Sequence, residues 1–194
     1  TDTRYGRRSS GTLLASSRLT ALLPNLEGWL KLDQPTPKAP PATTANASYE
    51  PVPDVEFQTL AGKPFRLKEL QGDVVLLNFW ATYCIPCREE IPALNQLQHE
   101  LEAQGLRIVG ASLDDSIDGV NGYQKDVVRF DYQILLGGSD AKVKFEQSVL
   151  PTTYLIDRQG RIRQKIIGAR DKAGWEAAVK PLLAEAPATA SVAN

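Results

Sequence analysis

The chain holds two cysteines, Cys84 and Cys87, in the run Cys84-Ile85-Pro86-Cys87. Two residues between them put both sulfurs within disulfide reach on one helical turn. Directly before them lies a short apolar, β-branched run, Val74 to Phe79, and after them Ile91, Leu94, Leu97 and Leu101 recur at three- and four-residue steps. This predicts a buried strand followed by a helix that starts at the cysteines. The first turn of a helix has unpaired N–H groups and the positive end of the dipole. A thiolate there is stabilised, so its pKa falls and it becomes a better nucleophile near neutral pH. At about 100° per residue, Cys87 falls close to the mean direction of the apolar stripe, and Cys84 about a quarter turn away, on the flank. Cys84 is therefore expected to attack and Cys87 to resolve. Pro86 fixes φ near the helix start, where its missing N–H has no helical partner to lose.

Other uses of the pair fit less well. A staple closing so short a loop contributes on the order of 2 kcal/mol before strain. A zinc half-site needs two more ligands, and the chain has no further cysteine and a single histidine, His99. His99 lies opposite the apolar stripe and reads as a solvent-facing residue with no role. No metal site is expected.

The surrounding pattern supplies the elements that must hold the pair. Val55 to Leu60 and Pro64 to Leu67 read as two short strands around Ala61-Gly62-Lys63. Beyond the helix, which Gly105 closes, Leu106 to Ser112 is a second buried strand. Asp114, Asp115 and Ser116 offer an N-cap for a helix through Phe130. Gln133 to Leu136 reads as a strand and Asp140 to Gln147 as a short helix. Thr152 to Ile156 and Ile162 to Ile167 read as paired strands around Asp157-Arg158-Gln159-Gly160. Trp175, Ala178, Val179, Leu182 and Leu183 mark one stripe of a last helix, with Pro181 inside it. The order implies an α/β fold with a mixed central sheet and helices on both faces.

Composition sets the outer limits. The 194 residues are 42 % hydrophobic and 23 % charged, with a formal net charge of −1. That balance disfavours a nucleic-acid binder held by phosphate neutralisation. No apolar run is long enough for a transmembrane helix. The chain has no methionine and begins at Thr1, as expected of a processed or trimmed chain. Thr1 to Ser17, with Arg4, Arg7 and Arg8, reads as a flexible polar tail, with the flank of a targeting segment as the alternative. Six prolines between Pro35 and Pro53 mark a linker. We therefore expect a flexible tail and Pro-rich linker over 1–48, a folded domain over 49–185 whose first strand begins near Val55, and a disordered tail over 186–194.

The segment Asn78-Phe79-Trp80-Ala81-Thr82-Tyr83-Cys84-Ile85-Pro86-Cys87, followed later by Leu150-Pro151-Thr152-Thr153-Tyr154-Leu155-Ile156-Asp157, resembles the thioredoxin superfamily. Within it, the chain from about Val55 to Leu183 is similar to the TlpA/ResA-like branch of extracytoplasmic, often membrane-tethered thiol–disulfide oxidoreductases. The resemblance implies a thioredoxin fold with an amino-terminal strand pair and an inserted helix and strand. It makes Pro151 a cis-proline facing the redox pair. Leu150, with Thr152 on its other side, would offer backbone to a client, and Trp80 would pack under the site. Tyr83 and Ile85 would complete the client-facing rim.

Three positions depart from the branch. Tyr83 stands where Trp is usual. Ile85 stands where the ResA-type subgroup has Glu. Asn78 takes the place of the buried Asp of cytosolic thioredoxins. A carboxylate to accept the Cys87 proton is thus missing from both usual places, and no base is assigned. Peroxidase activity is disfavoured, because Leu77 and Ala81 stand where the peroxiredoxin pattern requires Pro and Thr/Ser.

The resemblance implies a reductant of partner disulfides outside the cytosol, in the periplasm or facing it. Its clients would be thiol- or disulfide-containing proteins of the cytochrome c or metalloprotein assembly type. A membrane thiol reductase would supply electrons, the amino-terminal part could tether the domain to a membrane, and no cofactor beyond the cysteines is needed. The reading from a different class is a redox-regulated binding or scaffold domain without turnover.

Overall fold

In the computed structural model, residues 49–186 are described. The tail expected over 1–48, and all but Ala186 of the one expected over 186–194, lie outside them. Seven strands form one sheet in the order β2-β1-β5-β4-β3-β6-β7. The strands are β1 (Glu56–Thr59), β2 (Pro64–Arg66), β3 (Val74–Trp80), β4 (Leu106–Ser112), β5 (Gln133–Leu136), β6 (Thr152–Ile156) and β7 (Ile162–Ile167). The helices are α1 (Ile85–Leu101), α2 (Ile117–Asp126), α3 (Gly138–Lys144) and α4 (Lys172–Leu183). β3, β4 and β5 run parallel; β6 and β7 at one side and β1 and β2 at the other are antiparallel. β3 is buried at all seven positions, which is why it reads as an apolar run broken only by Asn78.

Alternate residues of β3 serve two cores. Val75, Leu77 and Phe79 pack with Ala141 and Phe145 on the α3 side. Val74 and Leu76 pack with Leu94, Leu97 and Leu101 of α1 and Trp175, Val179 and Leu182 of α4. A third cluster, at the end of the sheet where β3 meets α1, holds Trp80, Cys84, Cys87, Ile91 and Val120. The mixed sheet covered on both faces, the amino-terminal strand pair and the inserted α2 and β5 are all present.

Two local readings need correction. α2 stops at Asp126 rather than Phe130. Beyond it Asn95 of α1 binds the chain on both sides, accepting from the Asp131 N–H at 2.9 Å and donating to the Arg129 carbonyl at 2.8 Å, which pulls the backbone out of the helix. His99, read as having no role, sits 3.1 Å from Asp131 Oδ2 and holds the same loop. Ahead of β1, the Val52 N–H donates to Gly160 O and the Ile162 N–H to Glu50 O, so Glu50 to Val52 already line the edge of β7.

Candidate active site

Cys84 is the N-cap of α1, with extended backbone, and Cys87 lies in its first turn. The two are joined as a disulfide with a Cα separation of 5.3 Å. Cys84 Sγ accepts the Cys87 N–H at 3.3 Å, so the sulfur occupies the place of a capping oxygen and meets one of the helix's orphan donors. Pro86 falls in the first turn, where the helix needs no N–H from it. Cys84 is 8 % exposed and Cys87 1 %. Tyr83 and Ile85 flank the pair and are largely exposed, at 74 % and 62 %.

The remaining predicted residues converge on this end of the sheet. Trp80 is buried in the same cluster as both sulfurs, against Phe130 and Tyr123 with ring centroids 4.8 and 5.8 Å away. Leu150 packs against that cluster, and the Leu150–Pro151 bond is cis. Thr152 opens β6 opposite Phe79 of β3 and donates its hydroxyl to the Val149 carbonyl at 2.7 Å. Gly110, next to Asn78 across β3 and β4, allows the close packing here: a Cβ would meet Ile134 Cδ1 at 2.7 Å and Trp80 Nε1 at 3.1 Å. Among the described residues, no group of three or more His, Cys, Asp and Glu side chains converges on a metal site.

One residue escaped the sequence reading. Glu90 lies one turn beyond Cys87 on α1, with 2 % exposure. Its Oε1 accepts from Asn78 Nδ2 at 2.8 Å, and its Oε2 from the Arg170 N–H at 3.3 Å. Asn78 also donates to Thr153 Oγ1 at 3.0 Å. Burial pushes the Glu90 carboxyl up from its usual 4.5 to about 7, against the opposing effect of the Asn78 and Arg170 hydrogen bonds. The fully buried Tyr132 phenol is raised well above its usual value, by burial first and by the Glu90 charge second. So a buried carboxylate stands one helical turn beyond Cys87, on the helix rather than the strand. Asn78 fits this swap, because an acid there would face a second acid. A signal was present: at about 100° per residue, Glu90 falls within roughly 35° of the apolar stripe's mean direction, where a charged residue is out of place.

Comparison with known proteins agrees with this geometry. The AhpC/TSA family model matches residues 49–165. The thiol-disulfide oxidoreductase ResA of Bacillus cereus is 36 % identical over 123 residues, covering 62 % of this chain and 69 % of that protein. A crystal structure of a thiol:disulfide interchange protein of the thioredoxin family from Chlorobium tepidum is 31 % identical, with a TM-score of 0.64 over 72 % of this chain and 99 % of that one. A DsbE thiol:disulfide interchange protein from the same organism gives 27 % and 0.64, covering 71 % and 98 %. The chain belongs to the AhpC/TSA family, in its thioredoxin-like branch of ResA- and DsbE-related proteins. It is a thiol–disulfide oxidoreductase with a thioredoxin fold, and its clients are thiol-containing proteins.

Proposed function

We propose that the chain reduces disulfides of partner proteins outside the cytosol, with Cys84 as nucleophile and Glu90 as proton acceptor for Cys87. The observation that carries this is a redox pair at the start of α1 with an exposed rim beside it and a buried carboxylate, pushed up to about 7, one helical turn further along. In the reduced protein the Cys84 thiolate attacks a client disulfide. The client's S–S bond breaks, one client sulfur leaves as a thiolate and takes up a proton, and the other stays bonded to Cys84. Cys87 then gives its proton to Glu90 and attacks Cys84 Sγ. The Cys84–Cys87 bond forms, the second client thiol is released, and two electrons have passed to the client. A general base titrating near the working pH suits the second step.

Ile85 and Pro86 bring no charge to Cys84, so the helix terminus is its main thiolate stabiliser. This supports a moderate thiol pKa and a reducing couple, nearer the thioredoxin example at about −270 mV than the strong oxidant at about −120 mV. Such a couple in an oxidising compartment needs an electron supply, for which a membrane thiol reductase is the fitting class. Haem- or metal-accepting cysteines, as in cytochrome c assembly, are the client class that the ResA- and DsbE-type relatives suggest. The extracytoplasmic setting rests on the same relatives, and a membrane tether through 1–48 rests on the Pro-rich composition of that segment.

Two measurements test this. Cys87→Ser should trap clients on Cys84 as mixed disulfides, and an absence of trapped species alongside full binding would favour a redox-switched scaffold. Equilibration in glutathione and dithiothreitol buffers should give a potential well below about −180 mV, the level of a disulfide isomerase. A higher value would make the protein an oxidant or isomerase.

A further inference from the structure

We infer that Asp114 is a positioning residue for the nucleophile: its carboxylate grips the turn that presents Cys84. Trp80, the last residue of β3, pairs with Ser112, the last residue of β4, and the Leu113 N–H donates to Trp80 O at 2.9 Å. Beyond Trp80 the chain leaves the sheet and crosses to α1 in a single turn, closed by Cys84 N–H to Ala81 O at 3.0 Å. Thr82 and Tyr83 form the middle of that turn, and Tyr83 projects into solvent. Thr82 is held on both its polar groups by one carboxylate. Asp114 Oδ1 accepts the Thr82 hydroxyl at 2.7 Å, and Oδ2 accepts the Thr82 N–H at 3.0 Å. The carboxylate is itself fixed: the fully buried Ser112 hydroxyl donates to Oδ2 at 2.6 Å and accepts the Asp114 N–H at 3.0 Å.

Among the described residues, no other side chain hydrogen-bonds the middle of this turn. A two-pronged, charge-assisted grip is directional, which a packing contact is not. The grip ties the turn to the rigid end of β4, two residues before the attacking sulfur. Thiol–disulfide exchange needs the attacking sulfur in line with the bond it breaks, first in the client and then in the return attack by Cys87. A misplacement of about 1 Å in such a reaction can cost on the order of 100-fold. Arg88 and Asp114 both act on the Tyr123 phenol: burial raises it, Arg88 lowers it and Asp114 raises it.

The inference rests on Cys84 as nucleophile, which Cys84→Ser tests separately: exchange that persists in that variant defeats the nucleophile assignment, whatever Asp114 does. The experiment compares two rates in the full chain: reduction of insulin disulfides with dithiothreitol, and alkylation of reduced Cys84 by iodoacetamide across pH. A small alkylating agent has no alignment to satisfy. Asp114→Ala should lower exchange per folded molecule about tenfold or more while alkylation at high pH stays within twofold. Thr82→Val, which removes one prong, should move exchange the same way by less, and it carries the test should Asp114→Ala not fold. Asp115→Ala, which removes the neighbouring exposed charge, should change neither rate. Exchange within twofold of the unsubstituted protein in both Asp114→Ala and Thr82→Val would overturn the inference. A parallel fall of exchange and alkylation would also overturn it, because Asp114 would then act on thiolate formation and not on alignment.

Discussion

Two carboxylates in this protein are equally buried, each 2 % exposed, and the fold treats them in opposite ways. Asp157, at the end of β6 away from the cysteines, is surrounded by positive charge and donors. Arg161 reaches it at 2.8 Å and Arg163 at 3.4 Å, and the Gln159 and Arg161 N–H groups donate to Oδ1 at 3.0 Å. Arg163 also forms a two-pronged pair with Glu185, at 2.7 and 2.8 Å, and that pairing holds its guanidinium up. Glu90 receives only a neutral amide and one backbone N–H. A buried charge that is paired and hydrogen-bonded closes a structure; one left without a cation shifts its pKa instead. Burial alone therefore does not mark a chemical group. The absence of a compensating cation does.

If that contrast is right, the two sites break differently. Asp157→Ala removes the partner of Arg161 and one of the two partners of Arg163, and leaves the Gln159 and Arg161 N–H groups without their acceptor. The expected cost is about 3–5 kcal/mol, read as a melting temperature roughly 10–20 °C lower, with unchanged exchange per folded molecule. A loss below about 1 kcal/mol would mean the Arg163–Glu185 pair holds this end by itself.

Glu90→Gln should show the reverse. Resolution of the mixed disulfide at pH 7 should slow by about 100-fold. Stability should rise in a pH-dependent way. With its carboxyl at about 7 in the folded protein and near 4.5 unfolded, Glu90 holds a proton between those values that the unfolded chain has released. Its contribution is fully present below about 4.5 and is lost as pH rises through about 7. Above that, the folded state carries a burial cost on the order of 3 kcal/mol that a neutral Gln lacks. Glu90→Gln should thus melt higher than the unsubstituted protein at pH 8 and like it at pH 5. Equal melting temperatures at both would place Glu90 in the same class as Asp157.

How far each site could be read from the chain follows the same division. Cys84, Cys87 and the strand before them were legible because their chemistry is carried by residue type and by contiguous patterns: two cysteines at fixed spacing, an apolar run broken only by Asn78, a stripe at 3.6-residue period. The mixed sheet and the order of its elements were legible for the same reason. Glu90 was not singled out, although its place in the stripe could have marked it. What sequence order alone cannot supply is its surroundings, since Asn78, Thr153 and Arg170 lie 12, 63 and 80 positions away. The end of α2 was missed similarly: Val127 to Asp131 are released from the helix by Asn95, more than thirty positions earlier. Asp114 read as one of three N-cap candidates. Ser116 takes that role, accepting from the Gly119 N–H, and leaves Asp114 for Thr82.

The smallest expected effect concerns where the Asp157 end of the sheet is closed. We expect residues 1–48, from their Pro-rich composition, to be dispensable, so removing them should leave both melting temperature and exchange rate unchanged. The chain from Tyr49 onward behaves differently, because it belongs to the edge of β7. The Tyr49 ring lies 4.2 Å from the Arg163 guanidinium carbon, on the same arginine that bridges Asp157 and Glu185. Glu50 and Val52 make two backbone hydrogen bonds to β7 and the turn before it, at 2.8 and 2.9 Å. A chain starting at Tyr49 keeps all of these. One starting at Asp54 loses them and uncovers the edge of β7. The cation–π contact contributes about 0.5–1 kcal/mol, and each backbone hydrogen bond about 1 kcal/mol. The shorter chain should therefore melt several degrees lower, with exchange unaffected, since Cys84 lies at the other end of β3. Thermal unfolding of the two truncations side by side checks this. Equal melting temperatures would show that the Arg163–Glu185 pair closes that end without Tyr49. A loss already on removing 1–48 would show that the segment packs on the domain.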